Sequence, residues 1–387
     1  MKKLKLDLII VILLLLFCFI PYLNLGGLSV FFANYFIYFY LFGGIFLFFL
    51  LVVNNRMLIQ RKDLLMLFIS LLFCFFGYIQ NNVSLGNVLT MICSVLYLYY
   101  FRKCSIVDKN VLLLICIITS ICYVYISISV VDSFYSNSTY LNPNAVAQVL
   151  FFLLIIINHL LSMSNNNKKI MILLSILILV GIYNCESRSV LIFSLFYLFV
   201  TFILKKMHSK ESSKKKEKII YWIIVIIGLI VPYILVTMYT NSFTSTFSLF
   251  GKNLYSGREK IWIIVLDRLS SVRNIFLGIP TNEYYGAMFT SNLHNIFLTI
   301  LANYGIIYFF IYFYYLFKNY EILIENRANN IFLYMGIIFV LLVGSMENIL
   351  FSTEFNFLFC LLFALNLSAL NEKDGGFNES NKKELSI

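Results

Sequence analysis

Charge is scarce in this sequence: 12% of its 387 residues are Asp, Glu, Lys or Arg, while 61% are hydrophobic. Soluble domains are rarely more than about half apolar, so that class is excluded. Long unbroken apolar runs such as 6–20 and 219–231 exclude a membrane β-barrel, whose strands alternate in short segments. Metal-ligand patterns are missing too. The eight cysteines (Cys18, Cys74, Cys93, Cys104, Cys116, Cys122, Cys185 and Cys360) lie in or beside apolar runs without metal spacing, and none falls in the polar stretch 241–293. Neither a disulfide framework nor a zinc site is expected. The acids Asp132, Glu186, Glu259, Asp267, Glu283, Glu347 and Glu354 form no D-x-D or E-x-x-H pattern, so no metal and no other cofactor is expected. The opening "MKKLKLDLIIVILLLLFCFIPY" lacks a small-residue cleavage site after its apolar core, and reads as a retained first helix.

What remains is an all-α, polytopic membrane protein. About 20 mostly apolar residues cross the hydrocarbon, and a helix satisfies its own backbone polar groups there. Twelve segments are long enough: 6–23, 30–53, 64–80, 86–101, 111–131, 143–163, 170–186, 189–204, 219–240, 296–317, 330–348 and 354–370. They make one transmembrane domain over residues 1–370, followed by a polar cytoplasmic tail at 371–387. The net charge of +11 is not a nucleic-acid signal, because the bases cluster in short connections between apolar runs, where they set orientation. With Lys2, Lys3 and Lys5 inside, Arg56, Arg61, Lys62, Arg102, Lys103, Lys109, Lys168, Lys169, Lys318 and Arg327 also fall inside. So do the tail lysines and the run "KKMHSKESSKKKEK" (205–218), a solvated loop that touches anionic lipid. Both termini are then cytoplasmic. The tight connection between 170–186 and 189–204 is the step on which this parity depends.

All but six of the 29 basic residues are thereby inside; the six are Arg188, Lys252, Arg258, Lys260, Arg268 and Arg273. Five share one external loop, about 241–295, which ends at His294, the only histidine on that face. Within it, "REKIWIIVLDRLSS" (258–271) spaces Ile261, Trp262, Val265 and Leu269 as an amphipathic helix lying on the membrane. Ser256 and Gly257 supply its start, and "NIFLGIP" (274–280) a link ending in a Gly/Pro turn.

Bases outside contradict the orientation bias, so that face needs positive charge. An arginine fork suits phosphate oxygens, and an imidazole accepts a proton from a hydroxyl at neutral pH. Arg188, Arg258 and His294 together suit transfer from a phosphate leaving group to a hydroxyl. Each also has a plain reading: Arg188 snorkelling to lipid phosphate, Arg258 as a loop charge, His294 as a structural residue. His159 and His208 take only the plain reading.

Five stretches bear on this choice: "LNPNAVAQVL" (141–150), "ESRSVLIF" (186–193), "YSGREKIW" (255–262), "NIFLGIP" (274–280) and "LHNIFLTILANYGIIYFF" (293–310). Together they resemble the motifs of the O-antigen ligase/polymerase family of bacterial envelope glycosyltransferases, with Pro280 where that family commonly has glycine. The first five spans contribute only topology. The resemblance implies a fold related to the integral-membrane glycosyltransferases of GT-C type and metal-independent, inverting transfer. Arg188 and Arg258 would hold the pyrophosphate of a polyprenyl-linked (undecaprenyl) glycan donor, and His294 would deprotonate the acceptor glycan. Glu186, two residues from Arg188, is a candidate to orient it, or is simply solvated. Glu347 is a candidate to orient His294, and Asn295, Asn142 and Asn144 are supporting candidates from the matched motifs. Tyr255, Tyr284 and Tyr285 are candidate sugar contacts. A flippase and a chain-length regulator are the partner proteins such an enzyme implies, alongside membrane lipid.

The Asn-, Lys- and Ile-rich composition, poor in Ala and Pro, points to an AT-rich genome and a low-GC Gram-positive cell, which has no lipid A core. That favours a repeat-unit polymerase for capsule, exopolysaccharide or O-antigen over a ligase acting on another envelope acceptor. The rival from another class is a flippase of lipid-linked oligosaccharide, or another transporter. Such proteins place ionisable groups near the midplane between repeats, whereas here charge gathers in one outer loop.

Overall fold

The computed structural model describes residues 6–22, 27–53, 61–103, 109–129, 142–163, 168–207, 214–241, 248–249, 252–253, 257–283, 293–325 and 327–365. Helices dominate: α1 (Leu6–Phe19), α2 (Gly27–Val53), α3 (Arg61–Asn81), α4 (Leu85–Lys103), α5 (Lys109–Ser129), α6 (Pro143–Ser162), α7 (Lys168–Asn184), α8 (Arg188–Met207) and α9 (Lys214–Thr240) come first. A two-residue antiparallel ladder, Ser248–Leu249 on Lys252–Asn253, precedes α10 (Arg258–Arg268) and α11 (Val272–Leu277). The chain continues through α12 (Ile296–Glu325), α13 (Arg327–Gly344) and α14 (Thr353–Leu365). Among the described residues, seven helices are long and apolar enough to cross a membrane, in α2, α3, α5, α6, α8, α9 and α12. The protein is a multi-pass membrane protein.

The helices sort into an inner and an outer set. In α6, 94% of the most apolar stretch is buried inside the protein, against 22% in α8 and 28% in α2, α3 and α9. Phe42, Phe75, Leu173 and Phe199 on the outer set are more than half exposed, a surface that only hydrocarbon tails cover without cost. Inside, α6 lies against α5, α7, α8 and α13, and α12 lies against α3, α9, α11 and α13. Buried tyrosines place their rings in apolar packing and their hydroxyls on partners. Tyr40 donates to Asn356 Oδ1 at 2.7 Å, Tyr221 to the Phe313 carbonyl at 2.9 Å, and Tyr97 to the Tyr40 carbonyl at 2.8 Å.

Most predicted spans coincide with a helix to within a few residues, but three details differ. The helix predicted at 296–317 continues to Glu325 and is broken at Gly305 (φ 79°, ψ 173°), a conformation essentially confined to glycine. The segment α11 fills the break: a Cβ on Gly305 would lie 2.0 Å from the Phe276 carbonyl oxygen. Backbone groups near the break find new partners there, since Ile279 N–H donates to the Ala302 carbonyl at 2.6 Å. Asn81 Nδ2 donates to the Leu277 and Asn303 carbonyls at 2.7 and 2.9 Å. Irregular backbone among apolar spans is tolerated where protein supplies such bonds. The second difference is α13, which ends at Gly344 rather than 348 and leaves Glu347 in a turn.

The third is a correction to α10, expected to lie on the membrane. Its apolar face turns inward: Trp262, Val265 and Leu269 are buried, α10 packs on α9, and Trp262 Nε1 donates to the Leu293 carbonyl at 2.7 Å. Spacing reports amphipathicity but not what covers the apolar stripe. The tail 371–387, Ser256, Tyr255, Tyr284 and Tyr285 lie outside the described residues.

Candidate functional site

Four distant chain segments converge on one carboxylate. Glu347 sits in the turn after α13, tied back by its N–H to the Val343 carbonyl at 2.9 Å. Its Oε1 accepts from Arg258 Nη2 at 2.5 Å and lies 3.4 Å from the Ser189 hydroxyl; its Oε2 lies 3.5 Å from His294 Nδ1. The Glu347 side chain is 5% exposed, Arg258 18% and His294 29%. The site is therefore an internal carboxylate under a partly open cationic rim.

Local structure aims each group. Arg258 is the first residue of α10, entered through Gly257 at φ 83°. Arg188 is the first residue of α8, directly after a tight turn in which Glu186 has φ 52°. Arg188 immediately precedes Ser189, whose hydroxyl lies 3.4 Å from Glu347 Oε1, so the first turn of α8 borders the cluster. His294 has φ 50°, uncommon for a residue with a β-carbon, and the following residue holds it there. Asn295 is buried and makes three side-chain bonds: Nδ2 donates to the Gly228 carbonyl at 3.0 Å and the Ser345 carbonyl at 2.7 Å, and Oδ1 accepts from Leu298 N–H at 2.7 Å. Asn295 therefore caps α12 and fastens it to α9 and to the turn bearing Glu347.

Of the sequence-derived candidates, Arg258, His294 and Glu347 meet directly, Arg188 adjoins them through its chain neighbour Ser189, and Asn295 supports the backbone. Glu186 is exposed in the turn before Arg188. Asn142 and Asn144 are not joined to this cluster by any bond among the described residues. Asn142 instead caps α6, its side chain accepting from Asn144 N–H at 3.0 Å ahead of Pro143 at the first helical position. Sequence reasoning passed over Ser189, although the Ser-Arg-Ser stretch contains it. Trp262, singled out as an apolar position and as the last residue of the matched stretch 255–262, also steadies the segment carrying His294 through its N–H. Among the described residues, no three His, Cys, Asp or Glu side chains gather as they would around a metal ion.

A carboxylate only accepts hydrogen bonds. Facing His294 Nδ1, Glu347 favours the proton on that nitrogen and leaves the lone pair on Nε2. Burial alone pushes the Glu347 carboxyl up, but the Arg258 charge and hydrogen bond, with His294 3.5 Å away, bring it below the ordinary glutamate value. A depressed carboxyl stabilises the fold fully above its unfolded value, about 4.3, and loses that contribution as pH falls through its folded value. Wild-type protein in detergent is thus expected to be more stable than Glu347→Gln at neutral pH, by roughly 3 kcal/mol, the low end for a buried pair that loses one partner. The gap should close as pH falls below about 4. Thermal melts of both proteins from pH 3 to 8 test this; a gap independent of pH would remove the ion pair as its cause.

No family model, no curated protein and no solved structure matches this chain.

Proposed function

We propose that the protein is a polysaccharide polymerase that joins polyprenyl-pyrophosphate-linked repeat units at the outer face of a bacterial cytoplasmic membrane. In this reading twelve helices span the bilayer as a GT-C-type scaffold, and both termini lie in the cytoplasm. The observation that carries it is the meeting of Arg258, His294 and Glu347, with Arg188 alongside, at one place among helices whose outer faces are apolar. Two arginines suit a diphosphate, and the oriented imidazole suits an alcohol nucleophile. The acceptor hydroxyl oxygen attacks the anomeric carbon of the donor sugar and its proton passes to His294 Nε2. The bond from that carbon to the diphosphate oxygen breaks, and polyprenyl diphosphate leaves with the electron pair, its charge held by Arg188 and Arg258. One displacement inverts the anomeric centre.

Purified protein in liposomes, given polyprenyl-pyrophosphate-linked repeat units with EDTA, should yield a ladder of polymer on a gel. Movement of the intact lipid-linked glycan across a sealed bilayer without a ladder would make the protein a flippase. Transfer to another envelope acceptor without self-polymerisation would make it a ligase. Arg188→Lys and Arg258→Lys should each form polymer at a rate between those of wild type and the alanine variant, because a point charge does not replace a bidentate fork. Wild-type rates in both lysine variants would remove the diphosphate clamp.

A further inference from the structure

Arg258 is already occupied. Its guanidinium, which the proposed function assigns to the donor diphosphate, is engaged by Glu347 at 2.5 Å while like-charged Arg188 stands close by. A guanidinium near a second like charge is stabilised by an anion at contact distance. Glu347 is that anion for Arg258, and its Oε1 takes a place on the guanidinium that a phosphate oxygen could take. Its Oε1 has a second neighbour, the Ser189 hydroxyl at 3.4 Å, beyond the usual hydroxyl–carboxylate distance of about 2.5–3.0 Å.

We propose that Glu347 is an internal stand-in for the donor diphosphate, surrendering Arg258 to it on binding while Ser189 takes up the vacated carboxylate oxygen and keeps Glu347 turned toward His294. The inference rests on the proposed function for the identity of the donor, but the exchange is a property of the residues themselves. A diphosphate outbids one carboxylate for two arginines because it carries more charge and more acceptor oxygens. In the exchanged state Oε2 still faces His294 Nδ1. The oriented base is therefore retained while the arginines turn to the leaving group. Ser189 is a positioning residue: it acts on Glu347 and through it on His294.

The exchange predicts an effect opposite in sign to that of simple support. If Glu347 merely holds Arg258 ready for phosphate, removing its charge weakens anion binding. If it competes, Glu347→Gln binds inorganic pyrophosphate more tightly, by about tenfold, the scale on which one opposite charge within reach acts. Ser189→Ala leaves the competitor in place but removes the hydroxyl that satisfies it after exchange, so pyrophosphate binding should weaken by several fold. Turnover should separate from affinity: in Glu347→Gln, KM for the lipid-linked donor falls while kcat also falls, because His294 loses its charged orienting acceptor and keeps at most a neutral amide oxygen.

Isothermal titration of full-length protein in detergent with inorganic pyrophosphate measures the affinities, and the liposome assay measures kcat and KM. Tighter binding in Glu347→Gln with weaker binding in Ser189→Ala establishes the exchange. Weaker or unchanged binding in Glu347→Gln overturns it, as does unchanged binding in Ser189→Ala. No pyrophosphate binding to wild-type protein or to either variant also overturns it, and removes the diphosphate clamp as well. Should Glu347→Gln not fold, unchanged binding in Ser189→Ala still overturns the proposal and weakened binding supports it. The two readings fail separately: the predicted affinity changes without any polymer ladder would sink the polymerase alone, and a ladder with weakened Glu347→Gln binding would sink the exchange alone.

Discussion

Replacing His294 is expected to slow polymer formation by about 10²–10⁴-fold, the usual worth of a positioned general base, while leaving the donor bound. Among the described residues, the imidazole is the group at the cluster suited to take a proton from a neutral hydroxyl. Arginine side chains donate hydrogen bonds and accept none, and Glu347 is turned to Arg258 and to His294 Nδ1. The choice of substitution matters because position 294 has φ 50°. Alanine keeps the β-carbon that makes this conformation costly, as histidine does, whereas asparagine tolerates it better and carries no base. His294→Asn should keep near wild-type thermal stability and pyrophosphate affinity, with the ladder reduced as far as in His294→Ala. Full activity in His294→Asn would return this histidine to a structural role.

Gly305→Ala is expected to cost at least about 3 kcal/mol, from backbone strain added to overpacking, and so to prevent recovery of folded protein from detergent. The new methyl would meet the Phe276 carbonyl oxygen at 2.0 Å and the Leu277 nitrogen at 2.9 Å. Those atoms are backbone, held by Asn81 and by the Ile279–Ala302 bond, so no side-chain rotation relieves the clash. Gly86 is the matched control: it lies in α4, a Cβ there meets nothing within 4 Å, and its φ is ordinary. Gly86→Ala should be neutral or stabilising by about 0.5–1 kcal/mol. Size-exclusion profiles and melting curves of the two variants distinguish them. A Gly305→Ala protein as stable as Gly86→Ala would mean that α11 does not wedge into the break.

Much of the helical scaffold was legible because membrane solvent leaves a coarse signature. Runs of about 20 apolar residues locate spans without any knowledge of neighbours, and the tight turn around Glu186 and the start of α8 at Arg188 followed from the same runs. The break at Gly305 was not legible. The stretch "ILANYGIIYFF" is apolar on both sides, and a glycine within an apolar helix is common. Only the insertion of α11, which ends at Leu277, 28 positions before Gly305, makes this glycine a corner. The inward face of α10 was hidden for a related reason: lipid and a neighbouring helix cover an apolar stripe equally well.

The cluster divides along the same line. Sequence alone determined that the chain is a helical, multi-pass membrane protein. It also singled out Arg188, Arg258 and His294, because charge among apolar runs stands out and few positions carry it. Tertiary structure decided which of these side chains touch. Residues 189, 258, 294 and 347 are linked through one carboxylate, and no local pattern encodes a meeting among positions so far apart. It also decided that Asn142 caps α6 while Asn295 ties α12 to two other segments, although both are asparagines at helix starts. The physical reason is range. Hydropathy and capping are settled within a turn or two of chain, whereas an ion pair buried between helices exists only once those helices have packed.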